Sequence, residues 1–410
     1  MTLPNERYEK PLRITSQLYF CSIPFRYDST SRCTFGCGYC FAKTRQGYGR
    51  SAPIQNADPA HLENRFREIA QGKQRSAIDE FLIERVPIQF GGMSDPFVSN
   101  EYQSGLSLTA IKTLNKYNYP FLISTKSKLV STKIYLDQLS QANVLVRFST
   151  SVVGIRSRHL IDRGCSPHFE IFNAINALAS RDVATSLRLQ PIFPGYEDEA
   201  VKLVERAANA GAKHISAEFL KVPIDADIKF SKPTKELLGG RPIDVFRSLG
   251  AKKIGREYIL PINYRKHLLL ALRDTAHRYG LSFGFADNDL LHFSDGRACC
   301  SAADIYLKDF RLFDANVVTS IKDKRPGQLI SFPARDTRWY PTFGLTHHLN
   351  SKAVKNLESK QRDDWESVLA AAWEANFGVY SPTFFYGVVP SSKKDSFGLS
   401  TFRRLRTEFD

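Results

Sequence analysis

The stretch Cys33-Thr34-Phe35-Gly36-Cys37-Gly38-Tyr39-Cys40 decides how the rest of the chain is read. Three thiolates spaced CxxxCxxC in one loop converge on three corners of an iron–sulfur cube and leave the fourth iron without a protein ligand. Cys₄ ligation is the usual closed arrangement, so an open iron marks a place where a small molecule binds and reacts. Gly36 and Gly38 allow the tight turns such a loop needs. A structural zinc site is the competing reading, and it ordinarily takes four ligands, often from paired CxxC or CxxC with HxxxH. The chain has no second CxxC and no His within ten residues of the triplet.

Outside the loop, length and composition set the bounds. The 410 residues suffice for one large core and an appended unit. Hydrophobic residues make up 42% and charged residues 24%, the balance of a water-soluble globular chain. Apolar runs such as Leu268-Leu-Leu-Ala-Leu272 are far too short to cross a membrane, and the first residues lack a signal-peptide layout. Seven cysteines, an odd count in a chain too large to need staples, argue against a disulfide framework and for a reducing cytoplasm. The net charge of +15 favours a polyanionic partner, because Lys and Arg displace the counterions condensed on a phosphate backbone. Basic residues gather at 229–256 and in the tail at Lys393, Lys394, Arg403, Arg404 and Arg406. A solvated face explains either cluster equally well.

Periodicity supplies the architecture. Short apolar runs alternate with amphipathic windows, the pattern of a parallel α/β domain. Strands are expected at 17–21, 87–91, 120–125, 144–150, 183–193, 212–220 and 282–286. Between them, Leu108, Ile111 and Leu114 mark one helix face, Ile171, Ile175 and Leu178 another, and Val201, Val204 and Ala208 a third. Pro261 opens a further helix that Gly280 ends. Six or seven βα units suit a partial (β/α)6–7 barrel over residues 1–300, with a basic insertion at about 222–260 and a mixed extension at 301–410. In the extension, Trp365, Leu369 and Trp373 share one face of a helix over 363–376.

In parallel α/β folds, sites form at the C-terminal ends of strands. Four expected strand ends are polar: Gly91-Gly92-Met93-Ser94-Asp95-Pro96, Ser124-Thr125-Lys126, Ser149-Thr150-Ser151 and Arg188-Leu189-Gln190-Pro191. Singly each is an ordinary turn; in series after a cysteine loop they describe the rim of a site.

The cysteine triplet, with Tyr39 before its last thiol, resembles the cluster motif of the radical S-adenosylmethionine (SAM) superfamily, CxxxCxΦC with an aromatic at Φ. Within it, the chain is most similar to the spore photoproduct lyase-like group over about residues 15–300, through the cluster loop to Lys43, Ser94-Asp95-Pro96, Ser124-Thr-Lys126 and the run 187–195. The resemblance implies a [4Fe–4S] cluster on Cys33, Cys37 and Cys40, SAM at its open iron, and a flavodoxin or ferredoxin as electron donor. It also implies a SAM shell drawn from Tyr39, Gly91, Gly92, Ser94, Asp95, Lys126, Ser149 and Gln190, with Lys126 suited to the SAM carboxylate. The substrate expected from the group and the charge is nucleic acid or a nucleotide. A peptide or small metabolite is the alternative within the chemistry, and a nucleic-acid-binding protein with a structural metal the alternative outside it.

One departure stands out. Spore photoproduct lyases place a hydrogen-donating cysteine just upstream of a Ser-Asp pair on the second strand; here Met93 precedes Ser94-Asp95 and has no S–H to give. Cys299 and Cys300 are the substitute candidates, as hydrogen donors or as ligands of a second metal with Cys21 or Cys165. Cys21 and Cys165 otherwise read as core or loop residues, since free cysteine is commonly buried. Trp339, Tyr340, Phe384, Phe385 and Tyr386 are expected to be exposed rings on which a base can stack.

Overall fold

The nine residues Val144–Val152 are buried at every position but one. A strand buried on both faces belongs in a parallel sheet sandwiched by helices, and that is its setting. The computed structural model describes residues 7–42, 53–349, 364–375 and 379–410. An eight-stranded sheet runs in the order β1 (Leu12–Ile14), β2 (Phe25–Tyr27), β3 (Ile88–Phe90), β4 (Phe121–Thr125), β5 (Val144–Val152), β6 (Ala184–Ile192), β7 (His214–Phe219) and β11 (Ser282–Phe285). The β4–β5, β5–β6 and β6–β7 pairs are parallel. Strands in chain order, with helices in the connections from β2 onward, give the partial barrel expected from the sequence.

The crossover helices follow the predicted periodicities. Leu106–Lys116 buries Ile111 and Leu114, and His168–Ala179 buries Ile171, Ile175 and Leu178. Glu197–Asn209 turns its buried stripe by about one residue, to Ala200, Leu203, Val204 and Ala207. Pro261 is the N-cap of Ile262–Arg278, and Gly280, at φ +72°, follows its end. None of the described helices is long and apolar enough to cross a membrane.

One expected strand is absent. Residues 17–21 form a turn, closed by hydrogen bonds from the Phe20 and Cys21 amides to the Gln17 carbonyl. Leu18, Tyr19, Phe20 and Cys21 are all buried, so the apolar run reports burial correctly but not conformation. The strand that leads to the cysteine loop is β2.

The chain divides into two compact units. The first comprises residues 1–11, 27–61 and 90–283. Its insertion folds as a small antiparallel sheet of β8 (Val222–Pro223), β9 (Lys252–Ile254) and β10 (Glu257–Ile259). Several of the insertion's cations are neutralised locally, Lys229 by Asp225 and Arg241 by Asp227 and Asp244.

The second unit comprises residues 12–26, 62–89 and 284–410. It holds an antiparallel sheet in the order β12 (Leu329–Ile330), β14 (Ser400–Arg404) and β13 (Val388–Lys394). Its core is aromatic: Phe81 packs on Phe313 and Trp339, and Trp373 lies edge-on to Phe402. The helix Trp365–Glu374 buries Trp365, Leu369 and Trp373 as its spacing predicts; Asp363 and Asn376, the expected ends, lie outside the described residues. None of the five rings expected on the surface is exposed: Trp339, Phe384 and Tyr386 are half-buried, and the other two are core. Tyr340 and Phe385 are buried, because Tyr340 donates to the Pro333 carbonyl and Phe385 packs against His292.

Candidate active site

The cysteine loop is held on both sides by backbone. Gly36 N–H donates to the Arg163 carbonyl at 2.8 Å and Gly38 N–H to the Ile161 carbonyl at 2.7 Å. From the other side, Ser231 N–H donates to the Gly38 carbonyl at 3.0 Å. These bonds fix the loop before any side chain acts. Cys37 is buried, while Cys33 and Cys40 are half-buried and so remain reachable. Lys43, at the end of the cluster-loop resemblance, lies outside the described residues.

Beneath the loop is a buried polar network. Tyr39 donates its hydroxyl proton to Asp162 Oδ1, and Lys126 Nζ donates to Tyr39 Oη at 3.0 Å and to Asp162 at 3.4 Å. Ser151 Oγ and Arg158 Nε hold the other Asp162 oxygen at 2.8 and 3.4 Å. Burial alone would raise the Asp162 pKa, but Lys126, Arg158 and the donated hydrogen bonds outweigh it and hold the carboxyl below its usual range. Tyr39 is pushed well above its ordinary value, by burial first and by the Asp162 charge second. A buried network bonded this densely, with Arg158 Nη2 its one buried atom lacking a partner among the described residues, fixes one geometry, here that of the loop carrying Tyr39.

The end of β3 reaches the same loop. The Asp95 backbone is hydrogen-bonded to the Cys33 thiol, whose pKa is pushed up to about 12 by burial and then by the Asp95 carboxylate. That carboxylate accepts from Thr125 Oγ1, Phe97 N and Lys126 N at 2.8, 2.9 and 2.7 Å. Burial raises Asp95 to about 6 against those bonds. Gly91 sits at φ +94°, and a Cβ there would stand 2.6 Å from the Ser124 carbonyl. Gly92 and Met93 continue the bend, where the Met93 and Ser94 amides bind Asp28 and Ser94 Oγ donates to the Thr30 carbonyl. The structure therefore brings Tyr39, Gly91, Gly92, Ser94, Asp95 and Lys126 into the surroundings of the cysteine loop. Ser149 and Gln190 lie on neighbouring strands, Ser149 in register with Arg188 and Gln190 donating to Glu218.

Comparison with known proteins bears on the fold. No family model matches the sequence, and no curated protein matches it either. Among solved structures, spore photoproduct lyase complexed with a dinucleoside spore photoproduct superposes with a TM-score of 0.51 at 18% identity, covering 67% of this chain and 81% of that one. A single-residue mutant of that lyase with the same dinucleoside gives the same values, and a second mutant gives a TM-score of 0.50. The fold is shared with spore photoproduct lyase. The partial barrel expected from the sequence is thereby confirmed as architecture, at an identity that speaks for fold alone.

Two thiol groups emerge that the spacing did not show. Cys165 Sγ lies 3.7 Å from Cys37 Sγ, and with Asp162 these ligand atoms fall within 4.8 Å of one another. The hydrogen bond to Cys37 and then burial raise the Cys165 pKa far above its ordinary value. In the second unit, Cys299 is hydrogen-bonded to both Cys21 and Cys300, so Cys21 is the partner of that pair. Cys299 and Cys21 are buried, Cys300 half-buried.

Proposed function

We propose that the chain is a radical SAM enzyme acting on nucleic acid or a nucleotide. The observation that carries this is the cysteine loop itself, clamped by backbone at 161–163 and 231 and touched at Cys33 by the end of β3, at the C-terminal rim of a partial barrel. The donor set fits a [4Fe–4S] cluster: three thiols in one loop, two of them half-buried, over a network that orients the loop without using the thiols. When bound, the cluster with SAM supplies one-electron cleavage to a 5′-deoxyadenosyl radical that takes hydrogen from the substrate.

The chain's own residues bind and orient. Cys33, Cys37 and Cys40 hold the metal. Gly91 and Gly92 let backbone approach the methionine end of SAM, with Ser94 and Asp95 fixing that bend. Lys126 gives two of its three N–H groups to Tyr39 and Asp162, which leaves one for the SAM carboxylate. Ser149 and Gln190 face the same interior from β5 and β6. Nucleic acid as substrate is supported by the net charge of +15 and by a fold shared with a lyase that binds a dinucleoside. Thymine-dimer reversal itself is disfavoured, because Met93 supplies no thiol. Cys299 or Cys300 remains the proposed hydrogen donor. A reducing cytoplasm and a flavodoxin- or ferredoxin-type donor complete the reading.

One observation favours a second reading, a structural zinc. Two thiolates on one tetrahedral ion at about 2.3 Å are separated by about 3.8 Å, close to the Cys37–Cys165 spacing. Against it, the nearby Asp162 is already saturated by Tyr39, Ser151 and two cations, which repel a dication. Anaerobic purification with iron, sulfide and zinc quantified, then dithionite and SAM, decides the matter. Release of 5′-deoxyadenosine, stimulated by DNA, RNA or nucleotides, is the expected result. A colourless protein with one zinc and no SAM cleavage overturns it.

A further inference from the structure

Barrels normally fill their interior with layers of Val, Ile and Leu. In this one the inward face of β5, β6 and β7 is polar at consecutive levels. Thr150 and Phe219 identify the outward face, since Thr150 Oγ1 bonds His168 on one crossover helix and Phe219 packs on Tyr264 of another. Side chains alternate along a strand, so the opposite face carries Arg147 and Ser149 on β5, Ser186 and Arg188 on β6, and Ser216 and Glu218 on β7. Register confirms the levels: Arg147 opposes Ser186, and Ser149 opposes Arg188, which opposes Ser216.

We propose that this interior is a binding site for the phosphate of a phosphodiester substrate, centred on Ser149, Arg188 and Ser216 with Arg147 below. The inference rests on the nucleotide reading above and deepens it. Three observations carry it. The hydroxyls of Ser186 and Ser216 are wholly buried and have no hydrogen-bond partner among the described residues, a cost that a ligand's oxygens would relieve. On β5 and β6 exposure rises from buried Arg147 and Ser186 to half-buried Ser149, Arg188 and Gln190, so the interior is reachable at that level. Charge is in excess: Arg188 and Lys221 share the carboxylate of Glu218, at 3.2 Å for Arg188, with Gln190 also donating to it, and Arg147 adds a further cation on the same face. Burial would raise the Glu218 pKa, yet Lys221 and Arg188 prevail and keep it below its usual range, so it stays ionised and holds Arg188 in place. Arg147 Nη2 donates to Ser124 Oγ at 2.8 Å, which fixes the second guanidinium. Two guanidiniums and three hydroxyls match a group with several acceptor oxygens better than a two-oxygen carboxylate.

The test uses the full chain, both metal-free and cluster-reconstituted, with calorimetric titration of two DNA dinucleotides. One has the natural phosphodiester and the other a neutral methylphosphonate. The expected result is at least tenfold tighter binding of the diester, with Arg147→Met or Ser216→Ala erasing most of that preference while SAM binding is unchanged. Arg147→Lys, which keeps the charge, should retain part of it and guards against a folding failure in the Met variant. Equal binding of the two dinucleotides, no binding of either, or a loss confined to SAM overturns the proposal. Because the diester preference is read without turnover, its failure beside normal SAM cleavage leaves the enzyme reading standing, and the reverse outcome separates them equally.

Discussion

Cys165 Sγ lies 3.7 Å from Cys37 Sγ, although 128 residues separate the two in sequence. A disulfide needs the sulfurs at about 2.05 Å, a short closure from this separation. With no metal bound, a low-molecular-weight disulfide such as hydroxyethyl disulfide should therefore join them by exchange, releasing two equivalents of mercaptoethanol. Non-reducing peptide mapping should show a Cys37–Cys165 cross-link in the metal-free chain, none in Cys165→Ala, and protection after cluster reconstitution. A cross-link that forms equally in the reconstituted protein would show that Cys37 does not hold the metal.

The Asp162 network gives a second expectation. Asp162 is fully buried and takes Lys126, Arg158, Tyr39 and Ser151 on its two oxygens. Removing one charge from a buried pair strands the other, at about 3–5 kcal/mol. Asp162→Asn should lose that much in urea unfolding, and Lys126→Met a comparable amount. The double variant should cost clearly less than the sum, since neither charge is then left alone. Strict additivity would mean that Lys126 and Asp162 are not coupled.

What the sequence made legible was local, and what it hid was long-range. Cys33, Cys37 and Cys40 stand within eight residues, and Gly91 to Asp95 within five, so their chemistry could be read as words. Cys165 and Asp162 reach the loop from a segment after β5 that reads as an ordinary turn; long-range bonds to Gly36, Gly38, Tyr39 and Cys37 hold it there. The polar interior was hidden for another reason. Along β5 and β6, Arg and Ser alternate with Val, Phe and Leu, the same pattern as a strand with one solvated face. Residues 17–21 failed in the opposite direction, because burial without alternation does not distinguish a strand from a turn.

Stability should fall on mild acidification. Burial, aided by Arg158 and Arg206, lowers His168 to about 3, and burial with Arg404 and Lys322 takes His292 well below its ordinary 6.5. Both rings are neutral when folded, so their contribution is complete above pH 6.5 and is lost as pH falls, when only the unfolded chain takes up protons. Asp95 works the other way: raised from 3.8 to about 6, it gives the folded state one proton that the unfolded chain lacks between those values. Net uptake on unfolding from these groups is then close to one proton between about pH 5 and 6, a slope of about 1.4 kcal/mol per pH unit. Urea unfolding across that range should show the decline, and His168→Gln should flatten it. An undiminished slope in that variant would place the titration elsewhere.

Two glycines separate backbone strain from close approach. Gly91 and Gly105 both have positive φ, +94° and +57°, so alanine is strained at either. At Gly105 a Cβ would meet nothing within 4 Å, whereas at Gly91 it would stand 2.6 Å from the Ser124 carbonyl oxygen and 2.7 Å from Pro96 Cδ. Strain alone costs about 1–2 kcal/mol, and forcing an atom into packed surroundings adds about 1–3 kcal/mol. Gly105→Ala should thus lower stability modestly with full iron content after reconstitution. Gly91→Ala should lower it further and load less iron, because Gly91 opens the bend after β3 that carries the Asp95 backbone hydrogen-bonded to Cys33. Comparable losses in the two variants, with equal iron, would mean that the end of β3 does not shape the cluster loop.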